Sequence, residues 1–233
     1  MKWLGKARSE KKFGAEWQRR LEAWRALPPE PLPEDFSRAR YVVADVESSG
    51  LNVERDRLIS IGAVAIEGGG ILPGGFDVIL RQDNASSTEN ILVHRIGGTA
   101  QQEGSAPQEA LLQFLEFAGK APLVAYHAAF DSTMIARALR DVMQVALPNP
   151  WLDLAWVLPD LCGEDYQKGK GLDDWLARYG IRNIERHDAL SDAFATAQLM
   201  LVTMALAKKK NLNCIEPLLE LEAAQQWLSR SQS

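Results

Sequence analysis

Cysteine and histidine are scarce in this chain. Two cysteines, Cys162 and Cys214, and three histidines among 233 residues are too few for a disulfide framework or a thiolate zinc site. No apolar run approaches the roughly 20 residues that a bilayer requires. The basic N-terminus "MKWLGKARSEKKF" has no continuous apolar segment behind it, as a secretory signal would. There is no low-complexity tract and no repeat period. What remains is the expectation of a cytoplasmic protein with reduced thiols. Its length suits one α/β domain with appendages, and 46% hydrophobic and 24% charged residues are ordinary for a globular chain.

The net charge of −5 argues against broad electrostatic capture of nucleic acid, but it hides an asymmetry. Residues 1–25 carry eight Lys or Arg against three Glu, a local balance of +5 that leaves −10 for the rest. An acidic body that binds polyanions needs cations at its site.

Phe13, Trp17, Leu21 and Trp24 recur at helical spacing, so residues 13–27 predict an amphipathic helix whose stripe packs on the main body. "PPEPLPEDF" ends it and forms a stiff connector, giving an N-terminal region over 1–40. A strand from about residue 41 and two more, joined by a hairpin around Gly68–Gly70, form an antiparallel meander. Ser105 and Gln108 form a capping-box pattern ahead of a helix with Ala110, Leu111, Phe114, Leu115 and Ala118 on one face. Then strand and helix alternate: "PLVAY", a helix over 129–142, a strand in "WLDLAWVL", and helices at 171–179 and 188–208. In the last of these Ala189, Ala193 and Ala197 make a small-residue stripe for close packing. The main body spans 41–208, and a helix near 216–229 forms an appendage within 209–233. The result is a mixed sheet flanked by helices.

Within the first strand, "VVADVESSGL" places Asp45 and Glu47 two residues apart, hence on one face. Burying carboxylates side by side is costly without protons or cations. A solvated strand end explains D-x-E about as well as a site does. Gly50 permits a sharp exit, and Ser48 and Ser49 offer hydroxyls and amides to a ligand, although a plain turn uses the same residues. In "VAYHAAFD" a strand delivers the chain to His127, and Asp131 falls in the first turn of the next helix, where acids commonly complement the dipole. In "HDALSDAFATAQLM" His187 precedes or begins a long helix and Asp192 lies about one turn further in, among Ala and Leu on a helix that must bury a face. His94 in "LVHRIGG" and Asp153 in "WLDLA" read as structural hydrogen bonders.

Taken together, "DVESSGL", "HAAFD" and "HDALSDA" resemble the three motifs of the DEDD superfamily of 3'-to-5' exonucleases, in its histidine-containing, DnaQ-like DEDDh branch. That branch includes the proofreading epsilon subunit of bacterial replicative DNA polymerase. The motifs occur in order between residue 41 and about 207. Ala128 stands where the family commonly has asparagine, and Ser48 and Ser49 where threonine is commoner. The resemblance implies a ribonuclease H-like fold, a mixed five-stranded sheet with three antiparallel strands first, which agrees with the strand order read from the residues.

By the same resemblance Asp45, Glu47, Asp131 and Asp192 would bind two Mg2+ or Mn2+ ions. His187 would be the general base, and Val46, Ser48, Ser49, Gly50, Leu51, His127 and Phe130 would line the substrate. The implied activity is metal-dependent hydrolysis from the 3' end of single-stranded DNA, releasing nucleoside 5'-monophosphates in proofreading or repair. The sequence holds no polymerase segment, so proofreading would need a DNA polymerase subunit or other protein in trans. Two rivals stand beside it: an exoribonuclease trimming RNA 3' ends, and a nucleic-acid or protein-binding module whose catalysis has lapsed.

Overall fold

The computed structural model describes residues 2–30, 32–33, 35–163 and 171–231, with side chains from Gly14 onward. The side chain of Phe13, residues Pro31 and Glu34 of the expected connector, and the last two residues of the 209–233 region lie outside the described residues.

Three strands, β1 (Arg40–Ser48), β2 (Leu58–Glu67) and β3 (Gly70–Ile79), form the expected meander. Gly68 and Gly69 both have positive φ, 63° and 78°, the conformation that a two-residue hairpin requires. Parallel strands β4 (Leu123–Ala125) and β5 (Trp151–Asp153) complete a five-stranded sheet in the order β3-β2-β1-β4-β5.

Alternation along β1 decides what each face receives. Val42, Ala44 and Val46 join a core with α1 (Lys2–Ala26), α4 (Pro107–Ala118) and α5 (Ala128–Met143). Tyr41 and Val43 join the opposite core with α6 (Leu154–Cys162), α7 (Leu172–Arg178), α8 (Ala189–Lys209) and α9 (Glu216–Ser231). The aromatic stripe of α1 packs on the body as expected. Leu21 and Trp24 are buried, Trp17 and Trp24 donate to the Gln108 and Gly119 carbonyls, and Arg20 bridges Glu109 and Glu116. On the other side α9 buries Leu218, and Glu222 accepts the Asp153 amide at 2.9 Å.

Three expectations need correction, and one stretch for which none was stated is helical. The capping box at Ser105 is not formed, because the N-cap of α4 is Ala106 with Pro107 in the first turn. Ser105 instead bridges the end of β3, donating to Ile79 and accepting from Arg81 through its backbone. The strand in "WLDLAWVL" stops at Asp153, whose carboxylate accepts the Ala155 amide and caps α6, so the rest of that run is helix. Two short helices, α2 (Thr88–His94) and α3 (Gly98–Glu103), lie in a stretch with no clear period. Finally, α8 is long and apolar enough to cross a membrane by length and composition, although no such run was expected; here 56% of its apolar window is buried in the protein.

The close approach of α8 to the sheet rests on Gly62. A Cβ there would lie 2.1 Å from the Ala189 carbonyl carbon and the Leu190 nitrogen, backbone atoms that cannot rotate away. Gly62→Ala is therefore expected to destabilise the protein by about 1–3 kcal/mol, the usual range for overpacking. Urea unfolding followed by circular dichroism checks this, and an unchanged midpoint would show that α8 shifts freely.

Candidate active site

All four motif acids lie near the C-terminal end of β1. Asp45 and Glu47 share the face of β1 that carries Tyr41 and Val43, hence the face under α8. The ladder pairs Asp45 with Gly62 and Glu47 with Ser60, and the register shifts between Glu47 and Ser48, so regular pairing ends just beyond the second acid. Asp131 comes from the first turn of α5, is buried, and accepts the Val46 amide at 3.1 Å. Asp192, 1% exposed, enters from the first turn of α8, which Asp188 caps. One ligand atom from each of Glu47, His187 and Asp192 lies within 4.8 Å of the others.

Histidine geometry is set by the backbone. His127 and His187 both occupy the left-handed region, φ 65° and 66°, immediately before their helices or caps. His187 donates its amide to Asp192 Oδ2 at 3.1 Å. The amide of His127 donates to Asp153 Oδ1 at 2.8 Å, so Asp153 is a backbone acceptor, as its sequence context suggested. His94 is likewise structural. Buried at 3% exposure, it accepts the Ile96 amide through Nδ1 and pairs with Asn90, and burial lowers its pKa.

The residues expected to line the substrate divide into two groups. Exposed or partly exposed are Leu51, at 90%, His127, Ser49, Gly50 and Phe130. Val46 and Ser48 are buried; Val46 belongs to the core on the α5 side. Both serine hydroxyls shape their own loop: Ser48 donates to the Gly50 carbonyl at 2.6 Å, and Ser49 donates to Asp56 while accepting the Arg57 amide. A Cβ at Gly50 would lie 2.5 Å from the Asp56 carboxylate and would push it off the Ser49 hydroxyl and the Asn52 amide that it accepts.

Arg186 and Asn183 were not anticipated. Arg186 pairs its guanidinium with Asp192 and Asp173, and Asn183 donates to the other Asp192 oxygen. The only signal in "NIERHD" was an arginine beside the motif histidine, which spacing alone does not aim at an acid six residues away.

Electrostatics follow from this crowding. Burial, then the charges of Asp131, Asp192 and Glu47, holds the Asp45 carboxyl well above its usual range. Burial with Asp192 nearby pushes Glu47 up to about 8, and burial pushes Asp131 up to about 8. A set of hard oxygen donors that resists ionisation for lack of positive charge fits a hard divalent cation.

Such a sheet order, with acids from β1, α5 and α8 meeting at the strand ends, defines a ribonuclease H-like nuclease fold. A family model described as exonuclease, of the ribonuclease T type, matches residues 42–200, and the chain belongs to this family of DnaQ-like 3'-to-5' exonucleases. Enzymes of this kind depend on divalent metal. Among curated relatives, the PolC-type DNA polymerase III of Thermotoga maritima is 28% identical over 195 residues, and that of Clostridium perfringens 31% over 168 residues. These alignments cover 81% and 69% of this chain but only 14% and 11% of the relatives. Among solved structures, E. coli exonuclease I in complex with a dT13 oligonucleotide superposes with a TM-score of 0.62 at 15% identity, covering 74% of this chain and 42% of that one. Exonuclease X in complex with 5' overhanging duplex DNA gives 0.59 at 18% identity, covering 78% and 99%.

The pKa shifts fix the sign of a pH effect. Glu47 and Asp131 have folded values above their unfolded ones, so their contribution without metal is favourable below about pH 4 and is lost as pH rises towards about 8. Divalent cations held by the ionised acids would reverse this loss. The rise in Tm on adding Mn2+ is therefore expected to be larger at pH 8.5 than at pH 6, by differential scanning fluorimetry; an equal or smaller rise would contradict it. In the metal-free protein Arg186→Gln leaves the buried Asp192 without its guanidinium. It should lower Tm in EDTA and enlarge the gain on adding Mn2+.

Proposed function

We propose that the protein is a metal-dependent exonuclease that removes nucleoside 5'-monophosphates from the 3' end of single-stranded DNA. The observation that carries this reading is the convergence of Asp45, Glu47, Asp131 and Asp192, from three separate stretches of chain, beside His187. We assign the four acids as the ligands of two Mg2+ or Mn2+ ions, which when bound would supply positive charge to the attacking and leaving oxygens of the phosphodiester.

His187 is the general base in this reading. Its ring lies within reach of the Glu47 and Asp192 oxygens, where the attacking water would sit, and its amide ties it to Asp192. A neutral imidazole takes the proton of that water as it attacks phosphorus. The serine-rich loop after Glu47 and the exposed Leu51 line the approach of the terminal nucleotide, with His127 and Phe130 on the α5 side. Residues 41–208 carry the chemistry, and α1 with its connector and the C-terminal helix are additions to it.

Preference for DNA over RNA is supported by the relatives, which are DNA polymerases or exonucleases crystallised with DNA. The PolC-type kinship favours proofreading or repair, with a DNA polymerase subunit as partner.

A panel of matched DNA and RNA oligonucleotides, single- and double-stranded, with free or phosphate-blocked 3' ends and either metal, tests the proposal. Shortening from the free 3' end of single-stranded DNA is expected. Faster cleavage of RNA would move the reading to an exoribonuclease, and intact oligonucleotides with both metals would leave a binding module. His187→Ala should reduce kcat by about 10²–10⁴ while the Mn2+-induced rise in Tm persists; unchanged turnover would remove the general-base role.

A further inference from the structure

Two surface cavities meet at Arg137, on the α5 side of the acid cluster. The larger, about 620 Å³, follows α5 and includes Arg140; the smaller, about 320 Å³, is lined by Arg55, Arg57, Arg81 and Arg137. These arginines come from the loop after β1, the end of β3 and α5, segments brought together by the fold. Glu54 and Asp141 are the acids on the same walls. Asp141 is taken by Arg140 at 3.3 Å, and the Arg137 guanidinium meets the Met134 sulfur at 3.7 Å. Among the described residues Arg55, Arg57, Arg81 and Arg137 form no ion pair.

Four guanidinium groups without an ion pair among the described residues, around one trough on a chain of net charge −5, mark a local site for a polyanion. Position relates the trough to the acids. Arg57 exchanges two hydrogen bonds with Ser49, two residues past Glu47, its amide donating to the hydroxyl and its carbonyl accepting the Ser49 amide. Arg137 follows Asp131 by six residues on α5, about 9 Å of helical rise. At about 3.4 Å per nucleotide along a stacked strand, this separation corresponds to roughly three nucleotides. Two cavities with Arg137 in both walls suit a row of phosphates better than one isolated anion.

We infer that this arginine trough holds the phosphodiester backbone of the substrate strand roughly two to four nucleotides upstream of its 3' end. The inference rests on the exonuclease reading for its choice of strand. It assigns Arg57, Arg81 and Arg137 to the grip on a long substrate and leaves the acids to the chemistry.

The test is binding of 5'-fluorescein-labelled dT12 to the full chain in EDTA, by anisotropy across a salt series. The combined variant Arg57→Gln, Arg81→Gln and Arg137→Gln should weaken binding at least tenfold at low salt. The slope of log K against log salt should become shallower by about 2, since each single-strand phosphate contact contributes about 0.7. Arg38→Gln, which removes one positive charge at the opposite end of β1 and so matches each single variant, should leave both nearly unchanged. If the combined variant has a lowered Tm, the three single variants serve instead, each expected to remove about 0.7 of slope.

Binding equal to the unmutated protein, a loss no greater than that of Arg38→Gln, no dT12 binding by the unmutated protein, or tight binding confined to a 12-base-pair duplex would each overturn the inference. The outcomes separate it from the exonuclease reading. If dT12 binds through these arginines but no oligonucleotide is cut with Mg2+ or Mn2+, the trough stands and the activity falls. If oligonucleotides are cut and the arginine variants bind dT12 normally, the reverse holds.

Discussion

Carboxylates crowded at the end of β1, half-buried on the strand itself and buried where α5 and α8 deliver them, are the constraint on which the rest of the molecule depends. Asp45 and Glu47 lie two apart on one strand face, and the fold adds Asp131 and Asp192 to the same region. Each ionised carboxylate taken from water costs several kcal/mol even after relaxation, and each like-charged neighbour adds to that. The protein offsets part of this with Arg186 and Asn183 on Asp192 and with the Val46 amide on Asp131. Elevated pKa values at Asp45, Glu47 and Asp131 show that the offset is incomplete. A site that disfavours its own ionised form for lack of positive charge would be relieved by bound cations, as the proposed function requires.

The scaffold is arranged around holding those groups in place. Gly62 lets α8 lie against β2 so that Asp192 reaches β1, and Asp188 caps the helix that carries it. On the opposite face Asp131 is tied to the β1 backbone, while Asp153 holds the amide of His127 at the entry to α5. Glu222 of α9 accepts the Asp153 amide, so the C-terminal helix braces the strand that braces the α5 entry. The acids thus come from elements fixed by backbone hydrogen bonds and close packing, and side-chain flexibility contributes little to their placement.

Away from the acids, charge is distributed by function. The basic residues of α1 that have described partners are spent on packing, with Arg20 bridging two glutamates of α4. Among the described residues Arg55, Arg57, Arg81 and Arg137, which line the trough, form no such pair. In the proposed reading, an overall negative charge coexists with a local positive trough on the α5 side of the acids, and the two together would give a phosphate chain somewhere to lie and somewhere to be cut.

The residues by themselves determined the meander, the alternation of strand and helix, and the three motif segments, because each depends on a short-range period or spacing: two residues in β1, four in "HAAFD", five from His187 to Asp192. Local signals misled where a tertiary contact outweighed them. Ser105 was drawn from its capping role into pairing with β3, and Asp153 turned an apparent strand into a helix start. Ser48 and Ser49, read as hydroxyls offered to a ligand, are engaged in shaping their own loop. Only the folded chain could show Arg186 on Asp192, α8 against Gly62, or four arginines from separate segments around one trough. These depend on distances between residues far apart in sequence or on the aim of a long side chain, and neither leaves a periodic trace in the order of the amino acids.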